Sequence, residues 1–358
     1  MIENNPYFNL LSNFSSNTDL EFVNRSNNLD IWDDTLKHLD YVPFLYTNNS
    51  IRYQESYRCA SFDEYYDLSS IIRFKGKDIA VYPFSLAKKN NTYKIFSHGY
   101  FYEEEPPPLN KPLFISSVSQ KLKKSLIYEI INIINKIAKF LNIHQYRTVD
   151  NFENIFEISN WHLISMGKGA EVKLIHELYV NLDLNINEIK SKFRKSYKSL
   201  IKEDKFDLKT QIMDKNDISI WSQFKKMHFK CAGRITRSDK SWEMHLDDIN
   251  NNAGILIYIQ DKSNNFLGGG FFNFSKNEAI YSVAAYDRDY LHLPLGHIIQ
   301  YRAIIEFKKK DIKWYLLGHL PFLGDERTPS EKYLKIGHFK KGFATNIFPK
   351  YVYKHKTA

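Results

Sequence analysis

Three short stretches of this 358-residue chain carry side chains suited to holding an anion or moving a proton. The first is Arg194-Lys195-Ser196-Tyr197-Lys198. The apolar spacing of Ile189, Phe193, Tyr197 and Leu200 predicts a helix over residues 187–203, which would put Arg194 and Lys198 on one face. Such a face, with Lys195, either grips the phosphates of a donor or is simply solvated. The second stretch, residues 231–238, reads as a polar loop between helices. Its Arg234 and Arg237 could fork a phosphate or carboxylate, Lys240 adds charge, and Trp242 offers a stacking ring. The third is Tyr286-Asp287-Arg288 at the end of a strand-like run. Asp287 could accept the proton of an amine and Tyr286 could donate one, unless Asp287 pairs with Arg288.

His228, His297, His319 and His338 are candidate bases by type. His297 is favoured among them, because it opens a predicted helix, where the dipole favours neutral imidazole. Glu103 and Glu104, just before Pro106-Pro107-Pro108, form either a solvated acidic loop or a recognition point for an amine or sugar hydroxyls. No Ser-His-Asp set, phosphate-binding Walker loop or metal-ligand cluster emerges, and no metal is expected. Cys59 and Cys231 make no CxxC pair and cannot supply a zinc module.

These residues need elements to hold them. Residues 69–74 and 78–86 read as strands joined by Lys75-Gly76-Lys77, a hairpin signal. Residues 93–97 are a third strand, 116–141 a long amphipathic helix that Ser117 or Ser119 could cap, and 143–149 a closing strand. The first 30 residues, rich in Asn and Ser, suggest an irregular arm with at most a short helix. Later, strands are expected over 177–183, 253–260, 271–274, 279–286 and 312–317, and helices over 187–203, 218–231, 241–250 and 295–309. Both halves thus run hairpin, strand, polar loop, long helix, strand. The expected fold class is α/β, with domains 1–166 and 167–358 joined near Gly167-Lys168-Gly169.

Apolar residues make up 43% and charged residues 25%, which excludes wholesale disorder. No apolar run reaches the ~20 residues of a membrane span, and the start of the chain lacks a secretory pattern. A cytoplasmic location is expected. Residues 1–170 carry 18 basic and 19 acidic residues, whereas residues 171–358 carry 32 and 22. The excess of +10 in the second part suits a polyanion, a nucleotide diphosphate or an RNA, if it is not merely a lysine-rich surface.

The repeated element order resembles the acetyltransferase fold of the GNAT superfamily. There a central strand pair splays beside the start of a long helix and the acyl donor enters the gap. The turn that would hold a coenzyme A pyrophosphate is Leu291-His292-Leu293-Pro294-Leu295-Gly296-His297, with one glycine and a proline, so only Gly296 keeps the pattern. Residues 177–345 resemble more closely the FemAB/FemX group, which carries two GNAT-like domains in tandem. The resemblance rests on Leu182-Asp183-Leu184 with the basic stretch Arg194 to Lys198. It rests also on Met227-His228 with Gly233-Arg234 and Trp242, on Tyr281 to Asp287 with the helix from Leu295, and most specifically on Phe339-Lys340-Lys341-Gly342-Phe343. The coiled-coil arm of FemA-like members has no counterpart in any sustained heptad here.

The resemblance implies transfer of an acyl or aminoacyl group to an amine of a cell-envelope or surface-glycan precursor. The acceptor would be a nucleotide- or lipid-linked sugar or a peptidoglycan precursor, handled at or near a membrane surface. It implies no tightly bound cofactor, and a donor that is either aminoacyl-tRNA or acyl-CoA. It places Lys340 in the catalytic cleft with Tyr286, Asp287 and His297. Arg194, Lys195, Lys198, Gly296 and Lys341 would attend the donor, and Arg234, Arg237, Trp242, Tyr281, Glu103 and Glu104 the substrate. Read as a strand, residues 339–343 would send Lys340 and Lys341 to opposite sides. Two alternatives stand beside this reading: an acetyl-CoA-dependent N-acetyltransferase of an amino sugar, and a non-catalytic nucleic-acid- or glycan-binding module.

Overall fold

The computed structural model describes residues 6–97, 106–150, 158–325 and 328–357. They form a mixed α/β fold in two compact units: Met1–Leu174 with Lys350–Ala358, and Ile175–Pro349. The last strand of the chain, Asn346–Lys356, thus ends in the first unit, which a reading along the sequence had assigned to the second. Gly167-Lys168-Gly169 is not a loose joint. It closes the helix Asn160–Gly167 with a left-handed Gly169 at φ +79°, and Ala170 N–H donates to the Ser165 carbonyl at 3.1 Å.

In the first unit, strands Leu20–Asn24, Ser70–Phe74, Lys77–Tyr82 and Leu113–Phe114 lie side by side, all antiparallel. Lys75 and Gly76 both take positive φ, as a tight two-residue hairpin turn requires. A second small sheet joins Glu64–Asp67, Ser85–Lys89 and Thr92–Phe96. The helix Gln120–Phe140 starts at Ser119, whose side chain accepts from the Leu122 N–H. It buries Leu126, Ile127, Ile130, Ile131, Ile134 and Ile137. The Asn/Ser-rich start is more ordered than expected, with a helix Phe8–Ser15 and the edge strand Leu20–Asn24. Its polar residues act locally: the Asn24 side chain accepts from the Ser26 N–H.

In the second unit, six strands are ordered Leu208–Ile212, Gly254–Asp261, Phe266–Phe274, Glu278–Tyr286, Trp314–His319 and, over its residues 177–181, Glu171–Asn181. All neighbours are antiparallel except Glu278–Tyr286 and Trp314–His319. Alternation along the central strands loads both faces. Ile255, Ile257 and Ile259 pack with the helix Leu295–Lys309, through Ile298, Ile299, Ile304 and Phe307. Leu256, Phe271 and Val283 pack with Trp221, Phe224 and Trp242 of the helices Ile218–Ala232 and Asp239–Asn250. Gly268 to Gly270 lie inside the strand Phe266–Phe274, and residues 262–265 form the hairpin turn before it. At Gly268 a Cβ would lie 2.4 Å from the Ala285 carbonyl oxygen, so only glycine permits the strands to approach.

The first unit contains a closed ion pair. Arg25 and Asp67, with side chains 3% and 7% exposed, meet at 2.6 Å, and Asn48 accepts a further hydrogen bond from Arg25 at 2.7 Å. Removing one member of such a pair strands the other charge. Asp67→Ala should therefore cost about 3–5 kcal/mol. Urea unfolding followed by circular dichroism measures it, and a loss under about 1 kcal/mol, the value of a surface pair, would show that Arg25 reaches water.

Candidate active site

The parallel pairing of Glu278–Tyr286 with Trp314–His319 lasts only from Glu278↔Trp314 to Ile280↔Leu316. Past that point Glu278–Tyr286 stays paired to Phe266–Phe274 as far as Tyr286, and Trp314–His319 stays paired to residues 177–181 as far as His319. The two strands therefore splay, and a wedge opens between Tyr281 and Leu317. The helix Leu295–Lys309 begins after the same strand, with Pro294 at its cap position and no side chain bonded over its first turn.

Tyr281, Tyr286 and Lys340 come together at this wedge. The Tyr281 and Tyr286 hydroxyls are 3.0 Å apart, and the Lys340 ammonium sits 5.7 Å from the centre of the Tyr281 ring. Lys340 is 6% exposed. Burial, and then the neighbouring Tyr281, push the Tyr286 phenol well above its ordinary range, so it stays protonated. The opening thus presents a cation and phenolic hydroxyls, a set that stabilises a developing oxyanion. Gly296 lies alongside: a Cβ there would stand 3.3 Å from Phe339 and 3.6 Å from Tyr286.

The segment carrying Lys340 is not a strand. It is the last turn of the helix Glu331–Lys341, started by Ser330, whose hydroxyl accepts from the Tyr333 N–H. Gly337 and Lys340 face inward and Lys341 is exposed, so the separation of the two lysines comes from the helical turn.

The basic stretch is likewise rearranged. The predicted helix over 187–203 stops at Lys192, Phe193 is extended, and a single turn, Tyr197–Leu200, follows. Arg194 and Lys198 consequently do not share a helix face. The Arg194 N–H donates to the Gly342 carbonyl at 2.9 Å. Its guanidinium donates to the His338 carbonyl at 2.8 Å and to the Tyr197 hydroxyl at 3.2 Å. Arg194 therefore clamps the C-terminal end of the Lys340 helix, where free carbonyls and the dipole favour a cation. Lys198 donates to the Ser191 carbonyl at 3.1 Å, and Lys195 points to solvent.

His297 lies in an aromatic cage, with ring centres 4.4 Å from Tyr197, 5.0 Å from Phe339 and 5.8 Å from Phe343. Burial, then Arg194, lowers its pKa from 6.5 to about 4. Asp287 pairs with Lys230 at 3.1 Å rather than with Arg288. Arg288 instead donates to the Cys231 carbonyl. The Asp289 N–H and Lys230 hold the Asp287 carboxyl below its ordinary range, which makes it a weak base. Trp242 is 1% exposed inside an aromatic core, so it presents no surface for stacking. Arg237 lies over its ring at 5.1 Å, and Arg234 is exposed. Glu103 and Glu104 fall outside the described residues.

The sequence reading missed Gln300 and Tyr315. Both are fully buried, and Tyr315 donates to the Gln300 side chain at 2.5 Å beside the parallel strand pair. A glutamine in an otherwise apolar helix stripe was the available signal.

The chain thus has a mixed α/β fold in two units, with splayed strands beside a helix that no side chain caps in the second. No protein-family model matches the sequence, and no curated protein does. Among solved structures, FemX is similar at 11% identity with a TM-score of 0.66, over 94% of this chain and 97% of that one. A C-terminal domain of a putative lysylphosphatidylglycerol synthetase from Agrobacterium fabrum follows at 9% and 0.57, over 92% of each chain. L-PGS from Bacillus licheniformis is similar at 9% and 0.56, again over 92% of each. The chain therefore has the fold to which Phe339-Lys340-Lys341-Gly342-Phe343 pointed.

The neutral cage of His297 has a pH consequence. An unfolded chain takes up this proton near pH 6.5, the folded one only near pH 4. The stabilisation is complete above pH 6.5 and is lost as pH falls towards 4. His297→Leu should therefore flatten the fall of stability over that window. Denaturation midpoints of variant and wild type at intervals from pH 7 to 4 check this; parallel curves would place the imidazole in contact with water.

Proposed function

We propose that the chain transfers an acyl or aminoacyl group from an activated ester or thioester to an amine of a cell-envelope or surface-glycan precursor. The observation that carries this reading is the buried Lys340 ammonium over Tyr281 at the mouth of the splayed strands. The acceptor nitrogen attacks the donor carbonyl carbon, a C–N bond forms, and the carbonyl electron pair moves to oxygen. Lys340 and the Tyr281 hydroxyl stabilise that oxyanion, with Tyr286 holding the Tyr281 hydroxyl in place. Collapse breaks the bond to the leaving oxygen or sulfur, which takes up a proton as the new amide loses one. The basic excess of the second part of the chain suits an anionic donor.

Aminoacyl-tRNA is the donor we favour. A coenzyme A pyrophosphate needs close backbone approach, and Pro294 together with the Phe339 and Tyr286 rings against Gly296 restricts it. The acceptor is a nucleotide- or lipid-linked sugar or a peptidoglycan precursor, met by the Arg234 and Arg237 loop, and the reaction belongs to the cytoplasm. No helix among the described residues is long and apolar enough to cross a membrane. A second reading, acetyl-CoA-dependent acetylation of an amino sugar, is favoured by the splay itself, a geometry that equally admits a thioester.

Two measurements follow. Calorimetry with acetyl-CoA at physiological salt should give no micromolar binding; a micromolar constant would install the second reading. Mass spectrometry of amine acceptors incubated with charged tRNA or acetyl-CoA identifies the product. With that pair of substrates, Lys340→Ala should lower turnover about 10²–10³-fold, the cost of losing one oxyanion donor. Lys341→Ala should change it little, since an exposed charge contributes at most ~1 kcal/mol. Equal rates for Lys340→Ala and wild type would remove Lys340 from the mechanism.

A further inference from the structure

The basic excess of the second part of the chain is concentrated in two runs. Residues 189–202 hold six basic side chains and no acidic one, and residues 332–349 hold four and none. The rest of residues 171–358 carries 22 of each sign, so the two runs account for the whole excess. They lie far apart in sequence, and the fold joins them. The Arg194 N–H and guanidinium donate to the Gly342 and His338 carbonyls, and the Tyr197 hydroxyl donates to the Phe339 carbonyl. Lys195 and Lys341, both exposed, each adjoin in sequence a member of the Arg194–Gly342 hydrogen bond. Lys198 donates to the Ser191 carbonyl at 3.1 Å, which brings it back towards Lys192. Lys335 and Lys332 precede His338 at three-residue steps, so they continue one side of the helix Glu331–Lys341.

Most of this charge is uncompensated. Lys335 pairs with Glu331 at 2.7 Å, but Lys192, Lys195, Lys202, Lys332 and Lys341 are exposed and have no ion-pair partner among the described residues. The flanking carboxylates are committed: Glu188 closes the capping box of the helix Ile186–Lys192, and Glu203 accepts from Thr210. Like charges gathered on one surface repel, a cost that a bound polyanion relieves. The side chains between the lysines select the polyanion. Ser191, Ser196 and Ser199 are exposed, whereas Ile189, Phe193, Tyr197 and Ile201 are buried. Ile336 and Ile347 are exposed singly in the second run, too little apolar surface to insert into a lipid layer. Tyr333, 39% exposed between Lys332 and Lys335, adds an aromatic ring of the kind on which bases stack.

We propose that this ridge is the docking surface for the phosphate backbone of an RNA whose end enters the wedge beside Lys340. The identity of the polyanion rests on the aminoacyl-tRNA reading given above, and the ridge adds where that carrier lies. The few phosphates of a coenzyme A would cover only a small part of it. Arg194, whose donors are committed to carbonyls, holds the two runs together. The exposed lysines on either side of it meet the phosphates and release their counterions.

Fluorescence anisotropy of the full chain with a labelled hairpin RNA that bears a 3′ overhang and no aminoacyl group reads the docking without any transfer. Measured over a series of KCl concentrations, affinity should fall linearly with salt on logarithmic axes. Lys192→Gln, Lys195→Gln and Lys332→Gln together should weaken binding about 10–100-fold at about 0.1 M salt and reduce the slope by about 2–3. Lys209→Gln, Lys215→Gln and Lys276→Gln together remove the same charge from exposed lysines outside the runs and should change both far less. No salt-dependent binding, or an equal loss with the two sets, would overturn the assignment. Tighter ridge-dependent binding to phosphatidylglycerol vesicles than to RNA would overturn it too and make the ridge a membrane contact. RNA docking on the ridge without any aminoacyl transfer would fault the proposed reaction and support the ridge. Transfer from charged tRNA with an unchanged KM in the ridge variant would support the reaction and overturn the ridge.

Discussion

The parallel contact between Glu278–Tyr286 and Trp314–His319 governs the second unit, because it stops after three residue pairs. Each strand has a longer commitment on its other side. Glu278–Tyr286 is zipped to Phe266–Phe274 up to Gly268↔Tyr286, and Trp314–His319 to residues 177–181. Twist turns neighbouring strands progressively apart, and the two well-paired edges carry these strands in different directions. Past Ile280 and Leu316 the two strands no longer pair with each other.

What stands at the mouth depends on a second constraint, the fixing of the Lys340 helix. A helix ends with carbonyls that no intrahelical N–H can satisfy. Arg194 supplies donors to His338 and Gly342, and the Tyr197 hydroxyl donates to the Phe339 carbonyl at 3.3 Å. The fit leaves no slack: a Cβ on Gly342 would lie 2.2 Å from the Tyr197 ring. His297, Phe339 and Phe343 close around the same tyrosine. The arginine and histidine that sequence patterning assigned to donor phosphates and to proton removal thus hold the frame in which Lys340 is set.

That exchange of roles shows which parts of the fold are local. The helix Leu295–Lys309 has the bounds that its apolar spacing predicts, and Gln120–Phe140 and Asp239–Asn250 fall within a few residues of theirs. Their caps and buried faces are written in neighbouring residues. The stretch after Lys192 keeps helical spacing in its letters, yet Phe193 is extended, because the next N–H is taken by Gly342, far along the chain. No window of sequence contains that partner. Asp287 is the same case: Arg288 is adjacent, but Lys230 reaches the carboxylate. Trp242 near two arginines suggests a stacking surface. Only the packing of Trp221, Phe224 and Phe229 around it turns the ring inward and leaves its N–H as the polar feature.

The separation of Lys340 from Lys341 was legible in the sequence for a reason that differs from the structural one. Alternation in a strand turns adjacent side chains by about 180°, while a helix turns them by about 100°. Either geometry divides Lys340 from Lys341, so the distinction survives an incorrect assignment of the element. What a strand could not supply is the link one turn back. Gly337 lies three residues before Lys340, on the same face, and a Cβ there would stand 2.5 Å from Pro321. The helix is therefore seated against Pro321 at Gly337 and anchored by Arg194 at its end, with Lys340 between the two contacts. An ammonium fixed at both sides in this way has little further freedom to lose, which under the proposed reaction is the condition for such a charge to act strongly on a transition state.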